Sequence, residues 1–380
     1  MQETKKRLGY IKGGLFSYTN VRVREQLAEQ FPSLELDVID VWTDLIDAQR
    51  GAYPLALAQA AWRYPRHLLK HRNAPKNIAL RTPYLFRTLR RLVGQRLAGH
   101  AGDYRFTFQT QSIFDASTPG VPHFVFTDHT HLANLRYPAF RRSDLFPSPW
   151  TGLEREIYGH ARHIFVMSDH VRDSLCEDYG VEPARVTTVH GGSNVDPSSM
   201  PLDNDGYRNR TVVFVGIDWE RKGGPALAAA FERLREHVPD ARLIVIGCRP
   251  DLGKPWCEEL GKLPREEVKR HLVRGSVFCL PTRIEPFGIA VIEAFNHRLP
   301  SVVSNVGAMP SMVRHGESGL IVPPDDPATL ADALRELLLD PEKCRRFGEA
   351  GFRDSGERYT WASAGRKIRD GIERSLATGG

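Results

Sequence analysis

The chain has 380 residues, of which 41% are hydrophobic and 26% are charged, a composition typical of a soluble globular protein. This length suits two domains of similar size rather than one hydrophobic core. No apolar run approaches the roughly 20 residues that span a bilayer, and the N-terminal residues lack the apolar stretch of a secretory signal. The five scattered cysteines form no CxxC pair, which argues against a disulfide framework or a zinc site. We therefore expect a cytoplasmic protein with reduced thiols.

The positive charge is concentrated in one part of the chain. The net charge is +6 and the pI is about 9.1. No Asp or Glu occurs between Ala48 and Gly102, and we call this stretch the acid-free segment. Its basic residues are Arg50, Arg63, Arg66, Lys70, Arg72, Lys76, Arg81, Arg87, Arg90, Arg91 and Arg96. A local excess of this size predicts an anionic partner.

In chain order, the first half alternates β-rich and helical stretches. The strand candidates are LELDVIDV (34–41), YRFTF (104–108), PHFVFT (122–127), HIFVM (163–167) and RVTTVH (185–190). Helices are predicted for TGLEREIYGHAR (151–162) and DHVRDSLCEDYG (169–180), which separate the last three strands.

The second half alternates more regularly. Its predicted strands are RTVVFVGI (210–217), ARLIVIG (241–247), SVFCLP (276–281) and PSVVSNVG (300–307). Its predicted helices are 224–238, 266–275, 289–298 and 325–340, two of which carry a proline near their start. Short apolar strands that alternate with helices indicate a parallel sheet covered on both faces.

A stretch rich in Pro, Asn, Asp and Ser, residues 193–210, separates the halves and has the composition of a linker. We therefore predict an N-terminal domain over 1–200, a C-terminal domain over 201–355 and a C-terminal helix over 356–380 that packs back on the N-terminal domain. The expected fold class is α/β, with two doubly wound Rossmann-like domains facing a central cleft. Ligands of such sheets bind outside the carboxyl ends of the strands.

Within the acid-free segment, residues 85–100 (LFRTLRRLVGQRLAGH) have helical spacing. Phe86, Leu89, Val93 and Leu97 form an apolar stripe, and the arginines of the helix occupy much of the remaining surface. One interpretation is a core helix with solvated arginines. The other is a basic, partly apolar surface that docks on an anionic membrane. Nucleic acid is the weaker choice, because aromatic residues are not regularly interleaved.

The stretch EPFGIAVIEA (285–294) places two carboxylates around a strand-to-helix corner. Pro286 favours an extended Glu285, and Gly288 permits an unusual φ angle at the helix entrance. A helix N-terminus offers free N–H groups to a phosphate or a hydroxyl. Glu293 lies two turns into an apolar helix, where paired hydroxyls such as those of a ribose would satisfy it. Taken alone, Glu285 could equally be a charge that offsets the helix dipole.

This pattern resembles the E-x7-E motif of the retaining GT-B glycosyltransferases of family 4, also called glycosyl transferases group 1. Residues 299–334, which follow it, are similar to the next stretch of that family. Upstream, VVFVGIDWERKGG (212–224) resembles the family's strand, loop and helix with a phosphate-binding Lys. VMSDHVRDSLCEDYG (166–180) and VTTVHGGSNVD (186–196) resemble its interdomain region. The resemblance is continuous from about residue 160 to 345.

The resemblance implies roles for residues of the second half. Glu285 would hold hydroxyls of the donor sugar, and Glu293 would bind the ribose. The backbone N–H groups of Phe287, Gly288 and Ile289 would face sugar and phosphate.

The resemblance implies further roles for residues of the upstream stretch 212–224. Lys222, with Arg221, would neutralise the departing diphosphate. The family often has Arg after the glycine that is Gly216 here, whereas this chain has Ile217. Leu263, within GKLP (261–264), would lie along the nucleobase.

In the first half, the resemblance implies that Gly13 and Gly14 form a glycine-rich turn close to the phosphates. His129 would lie by the donor sugar, although His131 or Asp128 could take that place. The two histidines could alternatively be metal ligands, but the sequence shows no third ligand, so no metal is expected.

The resemblance implies a metal-independent, retaining hexosyltransferase without a cofactor, since the nucleotide sugar is a co-substrate. A UDP-sugar is the favoured donor and GDP-mannose the next. The expected acceptor is a hydroxyl, on a lipid-linked or membrane-borne molecule if the acid-free segment docks on the inner face of the membrane. The alternatives are a GT-B epimerase or hydrolase of sugar nucleotides and a non-catalytic protein that binds anionic ligands.

Overall fold

The computed structural model describes residues 6–14, 18–49, 51–70, 75–138, 140–193, 204 and 206–378. The chain divides into two compact units. The first unit comprises residues 1–135, 141–189 and 364–380, and the second comprises 136–140 and 190–363. Most of the predicted linker (193–210) lies outside the described residues.

The first unit is built on a six-stranded sheet in which every pair of neighbours is parallel. Its strands are β1 (Arg7–Lys12), β2 (Glu35–Asp40), β3 (Tyr104–Thr110), β4 (His123–Thr127), β5 (His163–Val166) and β6 (Val186–Thr188). Their order across the sheet is β2-β1-β3-β4-β5-β6. The central strands β3, β4 and β5 are almost wholly buried, as expected for a sheet covered by helices on both faces.

The second unit repeats this architecture with six further parallel strands. They are β7 (Thr211–Val215), β8 (Arg242–Ile246), β9 (Cys257–Gly261), β10 (Val277–Leu280), β11 (Ser301–Ser304) and β12 (Gly319–Val322). Their order is β12-β11-β10-β7-β8-β9, so β10 and β7 are neighbours at the centre of the sheet. The loops that follow β7 and β10 therefore emerge side by side at the carboxyl edge.

Fourteen α-helices connect the strands in the described part of the chain. In the first half they are α1 (Thr19–Gln30), α2 (Ala52–Arg63), α3 (Pro65–Lys70), α4 (Pro75–Ala79), α5 (Pro83–Ala98), α6 (Ser148–His160) and α7 (Asp169–Glu177). In the second half they are α8 (Gly224–His237), α9 (Arg265–Arg274), α10 (Ile289–Asn296), α11 (Met309–Met312), α12 (Pro327–Leu338), α13 (Pro341–Arg358) and α14 (Trp361–Ala377). No helix of the described ranges is long and apolar enough to cross a bilayer.

The predicted strands and helices are confirmed, with shifts of a few residues at their ends. Three strands, β1, β9 and β12, are absent from the sequence prediction. The sequence of β9, CEELG, carries two glutamates because it is an edge strand with one side open to solvent. The four residues of β12 also form an edge. The strand β1 is central, but its apolar run is short and flanked by charges.

The apolar stripe predicted for the basic helix is confirmed, because Phe86, Leu89, Val93 and Leu97 of α5 are fully buried. The helix begins at Pro83, capped by Thr82, whose hydroxyl accepts from Leu85 N–H (3.4 Å). An apolar stripe buried in this way makes α5 part of the core of the first unit.

The arginines of α5 differ in their surroundings. Arg90 pairs with the buried carboxylate of Asp115 (3.3 Å), and Arg96 lies 3.6 Å from Asp37. Arg87 and Arg91 are exposed. Two of the four cations on this helix are therefore engaged within the first unit.

The helix α14 contributes residues 364–377 to the first unit. Arg105 on β3 pairs with Glu373 (2.7 Å), and Arg162 donates to Ser375 O (2.6 Å). Gly371 allows the close packing of Phe165, since a Cβ at that position would lie 2.6 Å from the Phe165 ring. The C-terminal helix is thereby held against the first sheet.

Candidate functional site

Two loops of the second unit lie together at the carboxyl edge of its sheet. One loop follows β7 (residues 216–223) and the other follows β10 (281–288). Arg283 N–H donates to Arg221 O (2.9 Å), and Arg221 Nη1 donates back to Ile284 O (2.9 Å). Gly223, with φ 77°, is required here because a Cβ would clash with Pro281 O. The two loops are therefore joined by one backbone hydrogen bond and one hydrogen bond from the Arg221 side chain.

This contact brings together two of the predicted site residues, Lys222 and Glu285. Lys222 Nζ forms an ion pair with Glu285 Oε2. Both side chains are largely buried, and Glu285 is 7% exposed. The stem of Lys222 runs along Gly216, where a Cβ would lie 3.0 Å from Lys222 Cγ. The glycine at the end of β7 thus leaves room for the lysine to reach the carboxylate.

The backbone of Glu285 is held from its other side. Ala308 N–H donates to Glu285 O (3.2 Å), and Gly307, with φ 55°, contacts the same carbonyl. Gly288 also has a positive φ, 105°, and a Cβ there would clash with Met309 Cε. The glycines on both sides of the loop let the backbone turn tightly and fix where the Glu285 side chain emerges.

The helix α10 starts immediately after Gly288. Its first hydrogen bond runs from Val291 N–H to Gly288 O, so the preceding amides, including those of Gly288 and Ile289, are outside the helix's own hydrogen bonds. These amides and the helix dipole favour a negative charge at this end. Phe287 is buried, with an edge-on contact to Tyr359 at a centroid distance of 6.2 Å.

Glu293 lies on α10 among buried neighbours, including Ile292 and Ala294. Its carboxylate has no hydrogen bond or ion pair among the described residues. Burial raises its pKa to about 7, and the positive charge of Arg265 opposes this shift only in part. A half-buried carboxyl group that lacks a donor from the protein is typical of sites that a ligand completes.

The remaining predicted residues of this unit lie nearby in the fold. Arg221 is half-buried and lies 3.5 Å from Asp218, while Ile217, the residue after Gly216, is 71% exposed. Leu263 is half-buried in the turn after β9. That turn is joined to the one after β8, since Gly247 N–H donates to Gly261 O (2.7 Å).

In the first unit, Gly13 and Gly14 follow β1 at the carboxyl edge of the first sheet. Lys12 forms an ion pair with Asp40 at the end of β2, and Gly14 N–H donates to the same carboxylate (3.2 Å). A Cβ at Gly13 would lie 2.9 Å from Gln111 Oε1. The turn is therefore tight, and Gly14, with φ 71°, has the backbone conformation that favours glycine.

The two candidate histidines after β4 are held differently. His131 accepts a hydrogen bond at Nε2 from Phe146 N–H (2.8 Å), and its ring lies tilted on the Phe146 ring. Burial lowers the pKa of His131 to about 3 and that of His129 to about 4. Both rings are therefore neutral at pH 7. The Nε2 atom of His131 is thus committed to the Phe146 amide, and the His129 ring has a side-chain hydrogen bond with Asn134.

A buried carboxylate that the sequence prediction did not include anchors this histidine loop. Glu154, on α6, is 2% exposed and accepts from His131 N–H (3.0 Å) and from Tyr158 Oη (3.0 Å). Tyr179 Oη also donates to it. Burial raises the pKa of Glu154 to about 7, against the effect of these donors and of Arg81. The spacing Glu154, Ile157, Tyr158 is that of a buried helix face, and this signal could have revealed the residue.

Comparison with known families adds to this geometry. Residues 206–354 match the family of glycosyl transferases group 1, and residues 25–197 match glycosyltransferase family 4. The two matches fall on the second and first halves of the chain. Together they cover every strand of both sheets except β1.

Individual relatives agree with the family matches. Over 281 residues the chain is 30% identical to alpha-maltose-1-phosphate synthase of Mycolicibacterium smegmatis, covering 64% of this chain and 70% of that protein. Over 285 residues it is 28% identical to D-inositol 3-phosphate glycosyltransferase of Corynebacterium kroppenstedtii, covering 67% of this chain and 62% of that protein. The chain thus spans roughly two thirds of the length of these relatives.

Among solved structures, HepE from Anabaena aligns with a TM-score of 0.63 at 13% identity, covering 97% of this chain and 99% of that one. At this identity the likeness concerns the fold, two parallel α/β domains in the GT-B class. The two sheets, the family matches and the relatives lead to the same assignment. The chain belongs to the glycosyl transferases group 1, within family 4, and has the two-domain GT-B fold.

Proposed function

We propose that this protein transfers a sugar from a nucleoside diphosphate sugar to a hydroxyl acceptor, with retention of the anomeric configuration. The observation that carries the proposal is the arrangement around α10. A buried ion pair, Lys222 with Glu285, lies in the loops before the helix, and the unpaired carboxylate of Glu293 lies within it. Charged groups of both signs beside a helix N-terminus suit a ligand that carries both hydroxyls and phosphates.

In this proposal the donor completes the contacts that the free protein lacks. The two ribose hydroxyls donate to Glu293, which becomes a stable carboxylate once it has donors. The sugar hydroxyls donate to Glu285. The amides of Phe287, Gly288 and Ile289, with the dipole of α10, face the diphosphate. Leu263 lies along the nucleobase.

The chemical step breaks the bond between the anomeric carbon and the diphosphate oxygen, which leaves with the electron pair. Lys222 and Arg221 stabilise the negative charge that grows on the diphosphate. The acceptor oxygen attacks the same face of the sugar and forms the new C–O bond. Its proton passes to an oxygen of the leaving phosphate, so neither a second carboxylate nucleophile nor a further base is needed.

We further propose that the reaction requires neither a metal ion nor a cofactor. The positive charge that a metal would supply is available from Lys222, Arg221 and the dipole of α10. Among the described residues, no three His, Cys, Asp or Glu side chains are grouped as a metal site. Activity is expected to survive EDTA. Loss of activity with EDTA and recovery with Mn²⁺ or Mg²⁺ would overturn this part of the proposal.

We propose a UDP-sugar as donor, with GDP-mannose next. HepE, which shares the fold, is described in complex with UDP and glucose, and this supports the choice of nucleotide. The acceptor is proposed to be a hydroxyl of a lipid-linked or membrane-borne molecule. The relatives named for an inositol phosphate and for maltose 1-phosphate act on small phosphorylated molecules, so a soluble acceptor is the competing choice.

The decisive experiment is a donor screen that measures released nucleoside diphosphate, with and without a lipid extract, for wild type and two variants. Glu285→Gln is expected to lower turnover at least 100-fold while nucleoside diphosphate affinity changes little, because its contacts are to the sugar. Lys222→Ala is expected to reduce both, with turnover falling roughly 100- to 1,000-fold.

Other outcomes of the screen separate the competing functions. Near-normal turnover in Glu285→Gln would contradict its placement at the sugar. Nucleotide release that never requires an acceptor would favour a hydrolase or an epimerase. Binding of donors without turnover of any would favour a non-catalytic protein that binds anionic ligands.

A further inference from the structure

The acid-free segment contains an exposed surface distinct from α5. Seven large apolar side chains are exposed in the described part of the chain, and three of them, Leu55, Trp62 and Leu69, lie within fifteen residues on α2 and α3. Their exposed fractions are 55%, 76% and 79%. The cluster is therefore a local feature and not the usual scatter of single apolar residues on a surface.

The fold shows why these side chains point outward. A different face of α2 is formed by Ala52, Ala56 and Ala60, which are buried against the core. Tyr64, between the two helices, is 1% exposed, and its hydroxyl donates to Arg81 O (3.1 Å). The core of the first unit thus fixes the orientation of α2, and the exposed residues are not required for it.

Cations accompany the exposed apolar side chains. Arg63 lies over the Trp62 ring, 5.1 Å from its centroid, and Arg66 is exposed on α3. Neither arginine has an ion pair with another described residue. No acid occurs from residue 48 to 102, so nothing in the surrounding sequence neutralises them. The combination differs from α5, where the apolar stripe is buried and two of the arginines are paired.

We infer that α2 and α3 dock this protein on an anionic lipid surface, with Trp62, Leu55 and Leu69 entering the interfacial region and Arg63 and Arg66 at the phosphate level. Tryptophan and arginine are well suited to that depth, since each has an apolar body and a polar group. A second copy of this chain fits less well, because its own exposed Arg63 and Arg66 would be brought against the same cations. Docking of this kind would place the protein beside the membrane-borne acceptor proposed above. The inference depends on the proposed function only for this biological purpose.

The test is co-sedimentation with vesicles of phosphatidylcholine and phosphatidylglycerol, at low and high salt, with no donor or acceptor present. Wild type is expected to sediment at low salt and to be released at high salt. The variant Trp62→Ser with Leu69→Ser is expected to lower the partition coefficient at least roughly tenfold. Since both side chains are exposed, the substitutions remove little that stabilises the fold, and an unchanged thermal midpoint is the control for folding.

The matched control changes Arg87→Gln and Arg91→Gln. These arginines are exposed in the same acid-free segment but lie on α5, which carries no exposed large apolar side chain. The control is expected to bind within about threefold of wild type, because charges that are not at the docking surface attract the membrane only weakly. An equal or larger loss than that of the Trp62 and Leu69 variant would show diffuse charge attraction and overturn the inference.

Fluorescence tests insertion directly, since Trp62 is far more exposed than the other five tryptophans. Wild-type emission is expected to shift to the blue on anionic vesicles and to be quenched by brominated lipid. Trp62→Phe is expected to keep binding and lose this signal.

Wild type that stays in the supernatant at low salt contradicts the inference. So does a concentration-dependent dimer that Trp62→Ser disrupts, which would assign the surface to a second copy. Because no sugar is transferred in these assays, their failure is distinct from failure of the proposed activity.

Discussion

Glu154 in the first unit is buried and Glu293 in the second is half-buried; desolvation raises the pKa of each to about 7, yet their surroundings are opposite. Glu154 accepts hydrogen bonds from the His131 amide and from two tyrosine hydroxyls. Glu293 accepts none from the described residues. The pKa reflects burial in both cases, so it does not by itself separate a structural carboxylate from a ligand-binding one. The hydrogen-bond donors make that distinction.

This difference assigns different tasks to the two residues. Glu154 joins α6 to the loop that carries His129 and is complete without a ligand. Glu293 has no donor among the described residues, which is the condition expected if it binds the ribose as proposed above. The comparison is sharpened by variants that remove each carboxylate in turn.

The largest expected effect is on folding stability. Glu154→Ala leaves the His131 N–H and the hydroxyls of Tyr158 and Tyr179 without their acceptor, and each buried orphan is costly. We expect the free energy of unfolding to fall by about 3–5 kcal/mol, as for other broken buried polar networks. Urea denaturation would measure it. Glu293→Ala is the matched control and is expected to change stability by no more than about 1 kcal/mol, because it orphans no donor. Equal losses in the two variants would contradict the distinction.

The sequence predicted some parts of this picture and missed others for identifiable reasons. The sequence singled out Glu285, Gly288 and Glu293 because they lie in one short motif. The ion pair of Lys222 with Glu285 joins residues 63 positions apart, and only the neighbouring positions of β7 and β10 bring them together. Such pairing depends on sheet order, which no local pattern specifies.

Local sequence patterns are equally unable to show which face of a helix is exposed. The sequence predicted correctly that the apolar stripe of α5 is helical, but it could not decide whether the stripe faces the core or a partner, since both have the same periodicity. Helix α2 has no strong stripe because small alanines form its buried face. Its exposed Leu55 and Trp62 therefore became visible only when the fold was known.

A second, smaller effect is a pH dependence of stability that separates the two carboxylates. The folded pKa of Glu293 lies above its ordinary value of 4.5, so the folded protein holds this proton more tightly than the unfolded chain. Its contribution to stability is complete below about pH 4.5 and is lost as the pH rises through about 7. Glu293→Gln, which cannot ionise, should therefore be more stable than wild type at pH 8.5, by roughly 1–3 kcal/mol, and equal to it at pH 4.5.

Chemical denaturation of both proteins at each pH would measure this difference. Comparing the variant with wild type at the same pH cancels the contribution of the buried histidines, whose pKa values are lowered and whose effect has the opposite sign. Glu154→Gln should show no gain at pH 8.5, because the new amide would place a donor against the donors that now face the carboxylate. A stability gain of the same size in Glu154→Gln would show that the donors around Glu154 do not matter.

The smallest expected effect is a proton released when a nucleoside diphosphate binds. At pH 7 the free Glu293 is about half protonated, because its pKa is about 7. Ribose hydroxyls that donate to it would lower that pKa, so binding should release about half a proton from this group.

Calorimetry with UDP in buffers of different ionisation enthalpy measures the release. The phosphates of UDP also titrate near pH 6, so the informative quantity is the difference between wild type and Glu293→Gln. Glu154→Gln should release as many protons as wild type, since its carboxyl group has no part in binding. Identical release by wild type and Glu293→Gln would mean that Glu293 does not meet the ribose, and the nucleotide would then have to be placed elsewhere on the second unit.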